Sequence, residues 1–291
     1  MPPFNERYTP GRRQRNAKAV NYLIVANVIV FLLTWFLDFT NQADLYDILG
    51  LHHPKSELYQ SHQLITHIFM HGGYFHIFIN MFILWMFGSP LEIVWGTKRF
   101  LVFYFFTGLG AAFLHLAVTG ISLNKLERET DTFVQNPSYE RFVEFKEEHI
   151  DALPPRFANA ADNFVLEWSA DRNNPRYLQR AVSIVQSHLD VNINRPTVGA
   201  SGAIYGLLIA FGILFPNVYI FLYFFFPIKA KYFVILLGAI ELYSGLFGQN
   251  VSIANFAHLG GMIFGWALLK IWGDKAKPQP NEEGFAEVIE D

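Results

Sequence analysis

The sequence predicts an all-α membrane protein: six spanning helices, with a large polar segment between the third and the fourth. Three observations carry that expectation. Only 16% of the 291 residues are charged, against about 25% in a soluble domain, while 52% are apolar and 17% aromatic. The charge is also uneven, gathered in two tails and one central segment. Finally, six stretches approach the roughly 20 apolar residues a helix needs to cross a bilayer.

Those stretches are 21–39, 74–93, 100–119, 199–215, 232–248 and 254–272. Between the fourth and fifth lies an aromatic run, 217–227, which fits either an interfacial loop or the extension of a helix. Basic residues set the orientation. Arg12, Arg13, Arg15 and Lys18 precede the first stretch, and Lys98 and Arg99 follow the second. Lys229 and Lys231 precede the fifth, and Lys270, Lys275 and Lys277 follow the sixth. Six crossings put all four basic groups on one face, so both termini are expected in the cytoplasm. The layout is a tail at 1–19, a helical domain at 20–273 interrupted by an extracytoplasmic insertion at 120–197, and a tail at 274–291. No short apolar core with a small-residue cleavage site follows the basic start, so no cleaved signal peptide is expected.

Within the insertion, Asn136-Pro137 and Asn174-Pro175 each read as a helix start, with Asn as cap and Pro in the first turn. Behind the second, Tyr177, Ala181, Ile184, Val185 and His188 recur at helical spacing. At least two amphipathic helices are expected there. A net charge of −3 gives no reason to expect nucleic acid, and the absence of cysteine excludes disulfides, thiol catalysis and cysteine metal sites.

Polar residues inside apolar spans are costly and point to function. Three clusters occur. The first is His67, His71, His76 and Asn80, with His76 and Asn80 four apart and so on one helical face. Histidines at such spacing can hold zinc, but HExxH is absent and no acidic third ligand is close, so no metal is expected. The second is Gly199-Ala200-Ser201-Gly202, followed by Tyr205 and Gly206. Taken alone it fits close helix packing as well as catalysis, and alanine at 203 departs from the Gly-x-Ser-x-Gly elbow. The third is His258 with Gly261 and Gly265, at i, i+3 and i+7 on one face. If the two glycine faces pack together, His258 comes toward Ser201. The six-span orientation puts all three clusters at similar depth, below the extracytoplasmic surface.

Together these clusters resemble the rhomboid family of intramembrane proteases, over roughly 20–118 and 197–272. Glu92-xxx-Gly96-xx-Arg99 also looks like the family pattern. The resemblance implies a six-helix bundle in a bacterial plasma membrane and a Ser201–His258 dyad without a third acid. It implies an oxyanion held by His76, Asn80 and the Ser201 N–H, with Tyr205 stacked on the base. His67 and His71 would lie near a water-filled cavity. The expected substrates are single-pass membrane proteins in the lipid bilayer, with no metal or nucleotide cofactor. Nothing in the sequence sets the oligomeric state. The pattern departs from relatives in the loop before the second span, where His62-Gln63 stands in place of Trp-Arg. It departs again in the insertion, for which a lid, a substrate-docking element and a partner surface all remain open. Rival readings are an inactive relative that binds membrane proteins and a proton-relaying transporter. The latter calls for acids in mid-span, and Glu241 and His115 are both read as structural hydrogen-bonding residues.

Overall fold

The computed structural model describes residues 17–151, 153–172, 174–222, 226–247 and 254–273. Both tails expected to be cytoplasmic lie outside the described residues, apart from the few next to the helical domain. The architecture is helical. Among the described residues, four helices are long and apolar enough to cross a membrane. They are α1 (Lys18–Thr40), the composite helix Tyr74–Trp95, a long helix Thr97–Gln135 and Ala230–Phe247.

The loop after α1 carries two short helices, α2 (Leu45–Leu49) and α3 (Gln63–Thr66). Gln63 is fully buried and organises this loop. Its Oε1 accepts the His52 and Gln60 N–H groups at 3.2 and 3.1 Å, and its Nε2 donates to the Leu58 carbonyl at 2.9 Å. The composite helix is α4 (Tyr74–Ile83), one wide π-type turn at Leu84–Gly88, and α5 (Ser89–Trp95). Buried Glu92 on α5 closes the start of α1: its two oxygens accept the Ala19 and Val20 N–H groups, each at 2.9 Å. Those amides belong to the opening turn of a helix, which has no internal acceptors for them.

Then comes α6 (Thr97–Gln135), 39 residues long. The expected third span ended at 119, but the helix runs on without a break through the polar stretch that follows. A hydropathy criterion marks where apolar character stops, whereas a helix stops only where capping or a breaker ends it. Asn136 sits at the end of α6, and Ser138 caps the next helix, α7 (Tyr139–Phe145), by accepting the Arg141 N–H. The expected Asn136 cap is therefore displaced by two residues. Next come α8 (Pro155–Ala170) and α9 (Pro175–Ile193). Asn174 caps α9 through its side chain, with Pro175 in the first turn. These helices and the far half of α6 enclose their own core, including Leu126, Phe133, Phe142, Phe164, Trp168 and Val185.

The chain returns through α10 (Ser201–Leu214), a short apolar helix of 14 residues. The aromatic run then forms an antiparallel pair, β1 (Tyr219–Leu222) and β2 (Phe226–Lys229), with Ile220 opposite Ile228. This corrects the expectation of a loop or an extended helix; a short aromatic run satisfies strand and helix patterns alike. Finally come α11 (Ala230–Phe247) and α12 (Ala254–Trp272). Of the six expected spans, α10 and α12 are not among the four membrane-length apolar helices. The first is too short, and Asn255, His258 and clustered glycines reduce the apolarity of the second. A second core, built on Leu84, Phe87, Phe103, Tyr104, Ile204 and Leu207, fills the space between these helices.

Candidate active site

Ser201 opens α10. The preceding residues are held in place by backbone pairing. Leu51 and Thr197 exchange hydrogen bonds at 2.9 and 2.8 Å, and the Gly199 N–H donates to the His67 carbonyl at 2.9 Å. Gly199 has φ +129°, a region that side chains disfavour, and a Cβ there would lie 3.0 Å from the His76 ring. Glycine lets the chain turn against His76 and deliver Ser201 at the helix start. The Ser201 N–H is one of the opening amides of α10, with no partner four residues back.

The helix that follows packs very closely on α12. A Cβ on Gly261 would come within 1.9 Å of the Gly202 carbonyl oxygen, and one on Gly265 within 3.1 Å of Gly206 Cα. Only bare backbones fit at this distance. The approach brings His258 Nε2 to 2.8 Å from Ser201 Oγ. The imidazole is half-buried, and the Tyr205 ring stacks on it at 4.2 Å with the planes 7° apart.

The polar face of α4 lies beside this pair. The Gly72 N–H donates to His76 Nδ1 at 3.3 Å, which assigns the ring proton to Nε2, the atom facing Gly199. One turn on, Asn80 is 3% exposed and its Nδ2 has no partner. A buried amide donor left unpaired is unusual and calls for an explanation. His71 packs edge-on against His76 at 5.0 Å, and both of its ring nitrogens are buried without partners. His67 gives Nδ1 to the Gln63 carbonyl at 2.8 Å. Burial pushes both histidines, in the loop ahead of α4, down to about 4.

Of the two residues read as structural, His115 makes the expected kind of bond and Glu241 is differently placed. His115 on α6 bonds the Thr197 hydroxyl, anchoring the strand that leads to the serine. Glu241 on α11 has its Oε1 3.0 Å from His258 Nδ1, and the same oxygen accepts the Tyr205 hydroxyl. The approach to Nδ1 is within ion-pair range but off the line of a well-formed hydrogen bond. A third acid at the histidine was not expected from the sequence. Nothing there aligns Glu241 with His258; only the packing of α11 on α12 does.

Among the described residues, Glu129, Glu148 and His149 could together hold a metal. Glu129 lies on α6, while exposed Glu148 and half-buried His149 follow α7, and Lys125 Nζ already lies 3.5 Å from Glu129 and bonds Glu148.

Ser201 Oγ bonded to His258 Nε2 pairs a hydroxyl with an imidazole nitrogen, an arrangement that acyl-transfer chemistry can use. Comparison with curated proteins finds no match. A family model, the Rhomboid domain, matches residues 58–123 and 178–275, and the break between those segments falls within α6 to α9. The chain belongs to the rhomboid family, integral membrane serine proteases that act on transmembrane substrates within the bilayer.

Proposed function

We propose that this chain is an endopeptidase that cleaves single-pass membrane proteins in or near their spanning helix, using Ser201 and His258. The observation that carries the proposal is the 2.8 Å contact between Ser201 Oγ and His258 Nε2. Ser201 Oγ attacks the scissile carbonyl carbon while its proton passes to Nε2, and the carbonyl π pair moves onto oxygen. The oxyanion pair then re-forms the carbonyl as the C–N bond breaks, His258 gives its proton to the departing amine, and a water repeats the sequence on the acyl-enzyme, releasing the acid and restoring Ser201. The oxyanion is received by the Ser201 N–H, Asn80 Nδ2 and His76 Nε2. This role gives the unpartnered Asn80 amide its acceptor. Tyr205 holds the imidazole plane, Gly199 and His67 set the approach of Ser201, and His71 packs edge-on behind His76. Gly202, Gly206, Gly261 and Gly265 permit the close packing of α10 on α12. These groups supply each function acyl transfer requires, so the reaction calls for no cofactor.

In the membrane, the proposal places six crossings, with α10 and α12 as the fourth and sixth, and 120–197 as an extracytoplasmic insertion. The shortness of α10 is compatible with this, because Ser201 in its first turn is paired with His258 rather than left facing lipid. The basic residues support cytoplasmic termini and a site opening on the extracytoplasmic side of a bacterial plasma membrane.

The test is cleavage of a single-span substrate by protein reconstituted in liposomes. Ser201→Ala and His258→Ala are each expected to abolish it, along with covalent labelling by a fluorophosphonate. Cleavage that persists in Ser201→Ala overturns the mechanism. Substrate binding without cleavage or labelling in the unaltered protein identifies a binder instead.

A further inference from the structure

Glu241 is the one carboxylate on α11, an otherwise apolar helix, with lysine at 231 near its start. An ionised residue within such a helix is expensive unless paired, with insertion costs of about 2.5–3.5 kcal/mol for comparable charges. Its partners identify its role. Tyr205 and His258 lie face to face, so both rings turn their polar edges the same way. Both edges meet Glu241 Oε1, through the Tyr205 hydroxyl and through His258 Nδ1 at 3.0 Å. Nδ1 is buried and has no aligned acceptor elsewhere. The backbone of the same turn is tied to α12, since Asn255 Nδ2 donates to the Glu241 carbonyl at 3.4 Å. The carboxylate is thus fixed at the one edge of the imidazole that Ser201 does not use.

We propose that Glu241 is a positioning residue for His258: it holds the ring as the Nδ1–H tautomer, so that Nε2 is free to take the Ser201 proton. The inference rests on the protease reading and deepens it. A neutral imidazole protonated at Nε2 cannot act as the base for Ser201. A carboxylate at Nδ1 selects against that tautomer, and it faces the positive ring that forms once the Ser201 proton has arrived. No proton passes to Glu241; it stays ionised throughout, in the role an aspartate plays in a soluble triad. The off-line approach to Nδ1 fits a substrate-free site, in which catalytic hydrogen bonds are commonly loose and tighten when substrate binds. Tyr205 has a second task besides stacking, because its hydroxyl holds the carboxylate in place.

The experiment has two readouts. The first is the tautomer of neutral His258, read by nitrogen NMR on protein with labelled histidine in detergent or lipid, with His258→Gln assigning the signal. The proton is expected on Nδ1. A wild-type ring protonated on Nε2 overturns the proposal, and this measurement needs neither activity nor a Glu241 variant. The second is kinetics of Glu241→Gln and Glu241→Asp on a single-span substrate. Glu241→Gln is expected to lower kcat by about 10- to 1000-fold with KM little changed. Glu241→Asp, which keeps the charge, is expected to recover part of that loss. A kcat for Glu241→Gln equal to that of the unaltered protein overturns the proposal. If the unaltered protein neither cleaves nor labels with fluorophosphonate, the protease reading falls, and the tautomer still decides whether Glu241 positions His258.

Discussion

Gly261 sits against Gly202 so closely that a single added methyl group would overlap the Gly202 carbonyl oxygen, at 1.9 Å. The atom it would strike is backbone and has no rotamer to escape into. Gly261→Ala must therefore force α12 away from α10, and His258 moves with it. Overpacking of this kind costs about 1–3 kcal/mol or more, and a misplacement of about 1 Å at a reacting pair can cost about 100-fold in rate. A lowered Tm in detergent and loss of cleavage are expected together. Gly73→Ala is the control, since a Cβ at 73 meets nothing within 4 Å. Equal Tm values for the two variants would contradict the packing argument.

Asn80 separates catalysis from stability. Its buried Nδ2 has no partner among the described residues, so removing that donor breaks no hydrogen bond of its own in the resting protein. Asn80→Ala is expected to leave Tm within a few degrees while lowering kcat by about 100- to 1000-fold, the usual cost of losing an oxyanion donor. A large fall in Tm with an unchanged rate would make Asn80 a packing residue.

Glu92 should show the opposite pattern. Its carboxylate accepts two N–H groups at the start of α1 and the Thr97 hydroxyl at 2.6 Å. Glu92→Ala leaves those buried amides unsatisfied, at about 1–3 kcal/mol. A clear loss of Tm is expected, with Glu92→Gln intermediate because one amide oxygen can still accept. Residual folded protein should keep its fluorophosphonate labelling, since Glu92 touches none of the site. A Tm unchanged in Glu92→Ala would refute the cap.

Acid should loosen the loop in front of α4. Burial lowers His67 and His71 from 6.5 to about 4. Below about pH 6.5 the unfolded chain takes up protons that the folded chain refuses. Stability is therefore complete above that pH and declines between about 6.5 and 4. For His67, 5% exposed, the loss approaches about 3 kcal/mol at the acid end. Thermal unfolding followed across this range should show Tm falling with pH, and less steeply in His67→Gln. Parallel curves would show that His67 is not a source of the acid sensitivity.

Sequence periodicity and residue chemistry singled out Ser201, His258, His76 and Asn80 as candidates, because each is polar in an apolar setting. Asn174 announced its helix because a cap is a local device, complete within three residues. What stayed hidden was non-local. Glu241 lies 17 positions before His258, and only the packing of two helices decides which way it faces. Gln63 looks like any loop glutamine until its amide is seen serving four backbone groups around it. The strand pair at 219–229 was ambiguous for a different reason: eleven residues rich in Phe and Tyr satisfy more than one pattern. The reach of α6 was missed because its outer half is helical by propensity and by packing on a second core, neither of which hydropathy measures.

That reach has a structural consequence. A 39-residue helix is about 58 Å long at 1.5 Å per residue, nearly twice the thickness of a bilayer's hydrocarbon core, about 30 Å. Its inner half carries Thr107 and Ala111, which touch Gly206 and Gly202 beside Ser201. Its outer half carries Leu126 and Phe133, which belong to the separate core. One continuous helix therefore forms part of the wall beside Ser201 and part of the separate core.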